Sequence, residues 1–146
     1  MAQPRILVVE ARYYDHIQDE LLKGAKAALD EAQARYEVIT VPGAFEIPAA
    51  IRFAALSPNP YDGYIALGCV IRGETTHYDY VCTESAHGLQ QLALEQKLAI
   101  GFGILTVENE EQALARARMD KRNKGGEAAK ACLAMVELKR RFGLTT

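Results

Sequence analysis

The chain has 146 residues, 49% of them hydrophobic and 25% charged, with 17 basic against 19 acidic residues and a formal charge of −2. That length fits a single domain, 1–146, able to bury a core, and the composition excludes a disordered tail, a collagen-like fibre and a disulfide scaffold. The near-balanced charge gives no reason to expect nucleic acid or a membrane surface as a partner, and with no basic start before an apolar run and no stretch long enough to span a bilayer, a cytoplasmic protein is expected.

Arg5 to Glu10 (RILVVE) is a short β-branched run that predicts a buried strand. From Ile17 the apolar positions Ile17, Leu21, Gly24 and Ala28, flanked by Leu22, Ala25 and Leu29, recur in steps of three and four, which predicts an amphipathic helix. Tyr36 to Val41 is a second strand, stopped by Pro42-Gly43. The next helix starts near Glu46, because Pro48 is tolerated only in a first turn, and its apolar face is Ile47, Ala50, Ile51, Ala54 and Ala55. Ser57 to Asp62 is a loop with two prolines. Tyr64 to Ile71 (YIALGCVI) is apolar on both faces, as a parallel sheet covered by helices requires. A helix from about His77 to Lys97 follows, then a fourth strand from Leu98 to Val107. Asn109 caps a short helix with Glu110 and Glu111 in its first turn. A basic stretch, Arg118 to Lys124, leads to a last helix from about Gly126 to Arg141, whose predicted buried stripe is Ala128, Cys132, Met135, Leu138 and Phe142. Strands alternating with helices predict βαβ units and a three-layer α/β sandwich, whose ligands bind beyond the carboxyl ends of the strands.

The loops at those ends are therefore the informative ones. After the first strand come Tyr13 and Tyr14, adjacent aromatics that either stack on a flat heterocycle or wedge the loop onto the sheet. After the second, Pro42 to Pro48 is a tight turn opening a helix, with Glu46 placed either to bond a polyol or imide edge or to serve the helix dipole. After the third, Thr76-x-x-Asp79 has the spacing of a capping box, which puts Gly73 to Thr76 at a helix N-terminus, a place suited to phosphate. Glu74 opposes an anion there unless its side chain points away. His77, beside that site, is a proton-transfer candidate. Arg118, Lys121, Arg122 and Lys124 read first as a solvated turn. The three cysteines (Cys69, Cys82 and Cys132) form no C-x-x-C pair and sit among apolar neighbours, and the three histidines lack ligand spacing, so no metal site is expected. A receiver would need an aspartate where Leu67-Gly68-Cys69 stands, and a flavodoxin would need a phosphate loop in place of EARYYD.

Four stretches occur in order: VPGAFEIP (41–48), LGCVIRGETTHYDYV (67–81), GILTVENEEQA (103–113) and NKGGEAA (123–129), with EARYYD as a looser fifth. Together they make the chain resemble the lumazine synthase family from Arg5 to Phe142. The resemblance implies a four-stranded parallel sheet of flavodoxin-like topology. It also implies the condensation of 5-amino-6-(D-ribitylamino)uracil with L-3,4-dihydroxy-2-butanone 4-phosphate, without metal or organic cofactor. Carried over by motif, Tyr13 stacks on the pyrimidine, where the family usually has Phe or Trp. Ala44, Phe45 and Glu46 bind the ribityl chain. Val70 and Ile71 meet the uracil edge with Lys124 nearby, and Phe102 comes from a neighbouring subunit. Gly73, Glu74 and Thr75 hold the phosphate with Arg116 as its charge partner. His77 carries protons, oriented by Glu127.

The resemblance further implies a homo-oligomer with sites between subunits, and riboflavin synthase as a partner downstream. A pentamer rather than a larger shell is expected. Only four residues precede the first strand, and the turn 118–123 lacks the glycines usual in shell formers while carrying charges that repel around a shell axis. A lumazine-binding relative without activity is the rival reading; His77, Arg116 and Lys124 argue against it.

Overall fold

The computed structural model describes residues 2–144. Its elements in chain order are β1 (Arg5–Ala11), α1 (Asp15–Glu31), β2 (Arg35–Val41), a 3₁₀ turn (Ala44–Glu46), α2 (Ile47–Leu56), β3 (Gly63–Ile71), α3 (His77–Glu95), β4 (Ile100–Val107), α4 (Glu110–Ala117) and α5 (Lys124–Arg141). The four strands form one parallel sheet in the order β2-β1-β3-β4. The chain moves outward from β1 to β2, then crosses back to β3, so the connections diverge between β1 and β3. A crevice opens there at the carboxyl ends of an open α/β sheet.

Alternate residues of each strand face opposite layers, so the sheet has two cores. Ile6, Val8, Ile65, Leu67 and Leu105 point to one side, where Ile17, Leu21, Ala25 and Leu29 of α1, Ala113 and Ala117 of α4, and Ala128, Ala129, Cys132 and Val136 of α5 cover them. Leu7, Val9, Tyr64, Ala66 and Ile104 point to the other, against Ile47 and Ile51 of α2 and Val81, Leu89 and Leu92 of α3. β1 and β3 are central and buried on both faces, as their unbroken apolar runs predict. β2 is an edge strand with an alternating, largely exposed pattern.

The predicted stripe of α5 is corrected. Met135, Leu138 and Phe142 are exposed, and the buried face is Gly125, Gly126, Ala128, Ala129, Cys132 and Val136. The cause is close approach. A Cβ on Gly101 of β4 would come within 2.0 Å of the Ala128 carbonyl oxygen, and one on Gly125 within 2.0 Å of the Leu21 carbonyl oxygen. The helix backbone seats directly on the sheet and on α1, which leaves room only for small residues. Asn109 caps α4 as expected, its side chain accepting from the Gln112 N–H at 2.9 Å. Among the described residues no helix is long and apolar enough to cross a membrane.

Candidate active site

A cavity of about 590 Å³ lies at the β1/β3 crevice, lined by residues that follow the first three strands and by the first turn of α3. Its size suits a small-molecule site. Each wall follows from its local sequence.

The aromatic wall comes from the β1–α1 loop. Tyr14 packs against the core, where burial raises its phenol pKa, whereas the Tyr13 ring is 78% exposed. The two rings meet edge to face, with centroids 4.9 Å apart and planes at 72°. The adjacent tyrosines thus divide the two roles read from sequence: Tyr14 wedges the loop onto the sheet and Tyr13 presents a free face to the cavity.

The second wall is the turn after β2. Gly43 to Glu46 line the cavity, Ala44 is buried and the Phe45 ring is exposed. Pro48 falls in the first turn of α2, where its missing N–H costs nothing. The Glu46 carboxylate folds back over Gly43, whose added Cβ would sit 3.2 Å from Oε1. Glu46 caps no helix through its side chain.

Cys69, Val70 and Ile71, at the end of β3, line the cavity as well. Burial pushes the Cys69 thiol up to about 12, so it stays protonated near neutral pH and is no nucleophile.

The fourth wall is the β3–α3 connection, where Gly73, Thr75 and His77 line the cavity, with Tyr78 and Val81 beside them on the first turns of α3. The predicted capping box does not form. Thr76 already has helical φ and ψ of −75° and −1° and makes no side-chain cap bond, and Asp79 is drawn to Arg72 at 3.4 Å. Thr75 supplies the hydroxyl instead, its Oγ1 accepting from the His77 N–H at 3.3 Å. The helix N-terminus still faces the cavity, so the electrostatic reason to place an anion there survives. An added Cβ on Gly73 meets nothing within 4 Å, and its φ lies outside the left-handed region. Nothing within this chain therefore demands glycine at 73. Glu74 is exposed and does not line the cavity.

Arg72 organises this end of the sheet. Its Nε donates to both Glu108 oxygens at 3.0 Å, its guanidinium stands 4.3 Å over the Tyr78 ring, and its backbone N–H donates to the Val107 carbonyl. β3, β4 and α3 are tied together directly behind the cavity wall. Sequence reasoning missed Arg72, Tyr78 and Val81. The i, i+4 spacing of His77 and Val81 on one helix face was the signal for the last.

Besides Glu74, four expected site residues do not reach this cavity from within the chain. Phe102 is half exposed on the edge strand β4. Arg116, in the last turn of α4, donates from Nη1 to the Gln112 carbonyl at 3.1 Å. Lys124 pairs with Glu127 at 3.1 Å, so within the chain Glu127 meets a lysine and not His77. The cavity lining consequently contains no lysine or arginine, and Glu46 is its one carboxylate. Among the described residues no group of three or more His, Cys, Asp or Glu side chains could hold a metal ion.

The sequence profile of the 6,7-dimethyl-8-ribityllumazine synthase family matches residues 3–140. The chain is 60% identical over 141 residues to the 6,7-dimethyl-8-ribityllumazine synthase of Bartonella tribocorum, an alignment covering 97% of this chain and 93% of that protein. It is 56% identical over 147 residues to the Agrobacterium fabrum protein of the same name, covering 98% of this chain and 99% of the other. With 6,7-dimethyl-8-ribityllumazine synthase 1 of Rhizobium meliloti the identity is 58% over 142 residues, covering 94% and 93%.

Proposed function

Since the chain belongs to the 6,7-dimethyl-8-ribityllumazine synthase family, we propose that the cavity at the β1/β3 crevice is where it performs that family's reaction. The protein is a transferase that condenses 5-amino-6-(D-ribitylamino)uracil with L-3,4-dihydroxy-2-butanone 4-phosphate, in the penultimate step of riboflavin biosynthesis. One observation carries the assignment of the site. A free aromatic face, a carboxylate beside a helix-opening turn, and a helix N-terminus with a histidine converge on one cavity of about 590 Å³. These features match the three parts of the reaction: a flat pyrimidine with a polyol tail, a phosphate, and protons that must move.

In this reading Tyr13 stacks on the pyrimidine. Ala44, Phe45 and Glu46 hold the ribityl chain, and Val70 and Ile71 border the uracil edge. Gly73 and Thr75 hold the phosphate at the start of α3. Glu74 contributes its backbone alone, because its side chain is turned to solvent. The ring amine attacks the ketone, and the carbinolamine loses water to give an imine. Phosphate then leaves by elimination, the ribitylamino nitrogen closes the second ring and water is lost. His77 moves the protons, while much of the acceleration comes from holding two reactants together.

A phosphate site whose own lining carries no cation needs one from outside the chain. We infer that Arg116 of a neighbouring copy supplies it, with Lys124 beside the uracil edge, Phe102 closing the site and Glu127 reaching His77 across the interface. The exposed Phe45 and Phe102 rings, half or more uncovered in one protomer, support an interface at this place. The assembly proposed is a homopentamer of single-domain protomers (1–146). The turn 118–123 bears on that choice less simply than its composition does. Asn123 adopts the left-handed φ of 47° that a glycine would otherwise supply, and Asp120 pairs with Arg118 at 2.9 Å. Lys121 and Arg122 remain the exposed charges that oppose packing pentamers into a shell. A cytoplasmic location and passage of the product to riboflavin synthase complete the reading. Mixing the protein with both substrates and following the fluorescent lumazine tests it. Product formation above the uncatalysed background is expected, and its absence would favour a lumazine-binding protein without activity.

A further inference from the structure

The Tyr13 ring projects from the β1–α1 loop almost uncovered, touching Tyr14 edge-on, so packing does little to hold it. A stacking surface that is not held by packing must be placed by its backbone. The residue before it makes the strongest set of polar contacts in this part of the molecule. The Arg12 guanidinium donates from Nε to Asp15 Oδ1 at 3.2 Å, and from Nη2 to the Asp15 carbonyl at 3.4 Å and to Asp19. On its other side Nη1 lies 3.7 Å from Glu10 Oε1. Glu10 is the last charged residue of β1 and is 4% exposed; its other oxygen accepts from the Thr40 hydroxyl of β2 at 3.0 Å. One planar cation therefore reaches back into the sheet and forward to the first two turns of α1, bracketing Tyr13 and Tyr14 between its anchors. The Arg12 and Glu10 side chains are 22% and 5% exposed, which shields that pair in part from solvent screening, whereas Asp15 and Asp19 hold the outer side of the guanidinium from the surface. The forked geometry matters, because a lysine ammonium on its flexible stem cannot span the same two sides at once.

We propose that Arg12, buttressed by Glu10, is a positioning residue that sets the Tyr13 ring at the angle and depth the pyrimidine requires. The proposal rests on the reading of Tyr13 as the pyrimidine platform. Arg12 touches no reacting atom; it acts through Tyr13, so its removal weakens the pyrimidine-bearing ligands and spares the phosphate-bearing one.

The test uses the intact enzyme with Tyr13→Ala, Arg12→Met, Arg12→Lys and the double variant Tyr13→Ala/Arg12→Met. Product affinity is read by titrating the fluorescent lumazine, and KM is measured separately for each substrate. Arg12→Met is expected to weaken lumazine binding and raise KM for the ribitylaminouracil about tenfold, leaving KM for the butanone phosphate within about twofold. Arg12→Lys keeps a cation beside buried Glu10 and so preserves the fold if Arg12→Met does not; it is expected to lose affinity in the same direction by a smaller factor. In the double variant the effect of Arg12→Met on lumazine affinity should vanish, because the group through which it acts is gone. Additive losses in the double variant, equal changes in both KM values, or unchanged lumazine affinity in both Arg12 variants would overturn the proposal while leaving Tyr13 in its role. Unchanged affinity in Tyr13→Ala would instead remove the platform reading, and the brace with it.

Discussion

Removing the His77 imidazole tests the proton transfer without touching either core, because the side chain is exposed where it lines the cavity. His77→Ala should fold normally and slow turnover by about 10²-fold, the low end of the range for a positioned acid–base group, since proximity carries much of the rate. An unchanged kcat would remove His77 from the mechanism. Gly73→Ala separates folding from binding in the same wall. The added methyl meets nothing in the protomer, so stability measured by denaturant should stay within about 0.5 kcal/mol. KM for the butanone phosphate should rise, because the backbone can no longer approach a bound phosphate closely. Arg116→Ala should also impair that substrate selectively. A charge-assisted hydrogen bond is worth about 1.5–3 kcal/mol, and calorimetry should find ribitylaminouracil binding almost unchanged. The residues that line the cavity were legible in the sequence where they follow a strand, as Tyr13, Glu46, Gly73 and His77 do. The cap at Thr75 was not, because two adjacent threonines offer the same hydroxyl and only the helical φ and ψ of Thr76 decide between them. Arg72 was hidden for a related reason: its partners lie elsewhere in the chain, Asp79 on α3 and Glu108 just past the end of β4.

Element boundaries follow from hydrophobic period, but which face an element buries depends on how closely its backbone approaches its neighbours. α1 reads correctly because Ile17, Leu21 and Leu29 are large and face the sheet. α5 misleads because its contact face is built from glycine, alanine, cysteine and a single valine, while Met135, Leu138 and Phe142 point outward. The hydrophobic effect scales with apolar area, so a stripe of small residues carries a weak periodic signal even when it is fully buried. Gly101→Ala tests this account of α5. The new Cβ would lie 2.0 Å from the Ala128 carbonyl oxygen, a backbone atom that moves only with the helix. Overpacking of this kind costs about 1–3 kcal/mol, and a rigid backbone contact belongs at the upper end. Thermal unfolding should show a Tm lowered by roughly 2–4 °C for each kcal/mol. An unaltered Tm would mean that α5 is free to shift outward.

At the scale of the whole molecule, sheet order and crevice place four walls of a cavity in one protomer and leave it without a cation. That deficit was not legible in the sequence, where Arg116 and Lys124 stand as near to the other motifs as any residue does. The topology puts them beyond β4, outside the cavity lining. In the proposed ring of protomers, a heterologous interface would bring the α4–α5 region of one copy to the β1–β3 crevice of the next and supply the cation. Sedimentation near neutral pH should give a mass near five chains; a particle of megadalton scale would show that Lys121 and Arg122 do not prevent shell packing. The most direct test is complementation between two defective variants. His77→Ala and Arg116→Ala, each nearly inactive alone, are unfolded together in equal amounts and allowed to reassemble. If each site takes His77 from one protomer and Arg116 from the next, random pairing restores both groups at about a quarter of the interfaces, and about a quarter of the wild-type rate should return. A mixture no more active than the average of the two separate variants would place Arg116 in the same protomer's site, or in none, and contradict the shared site.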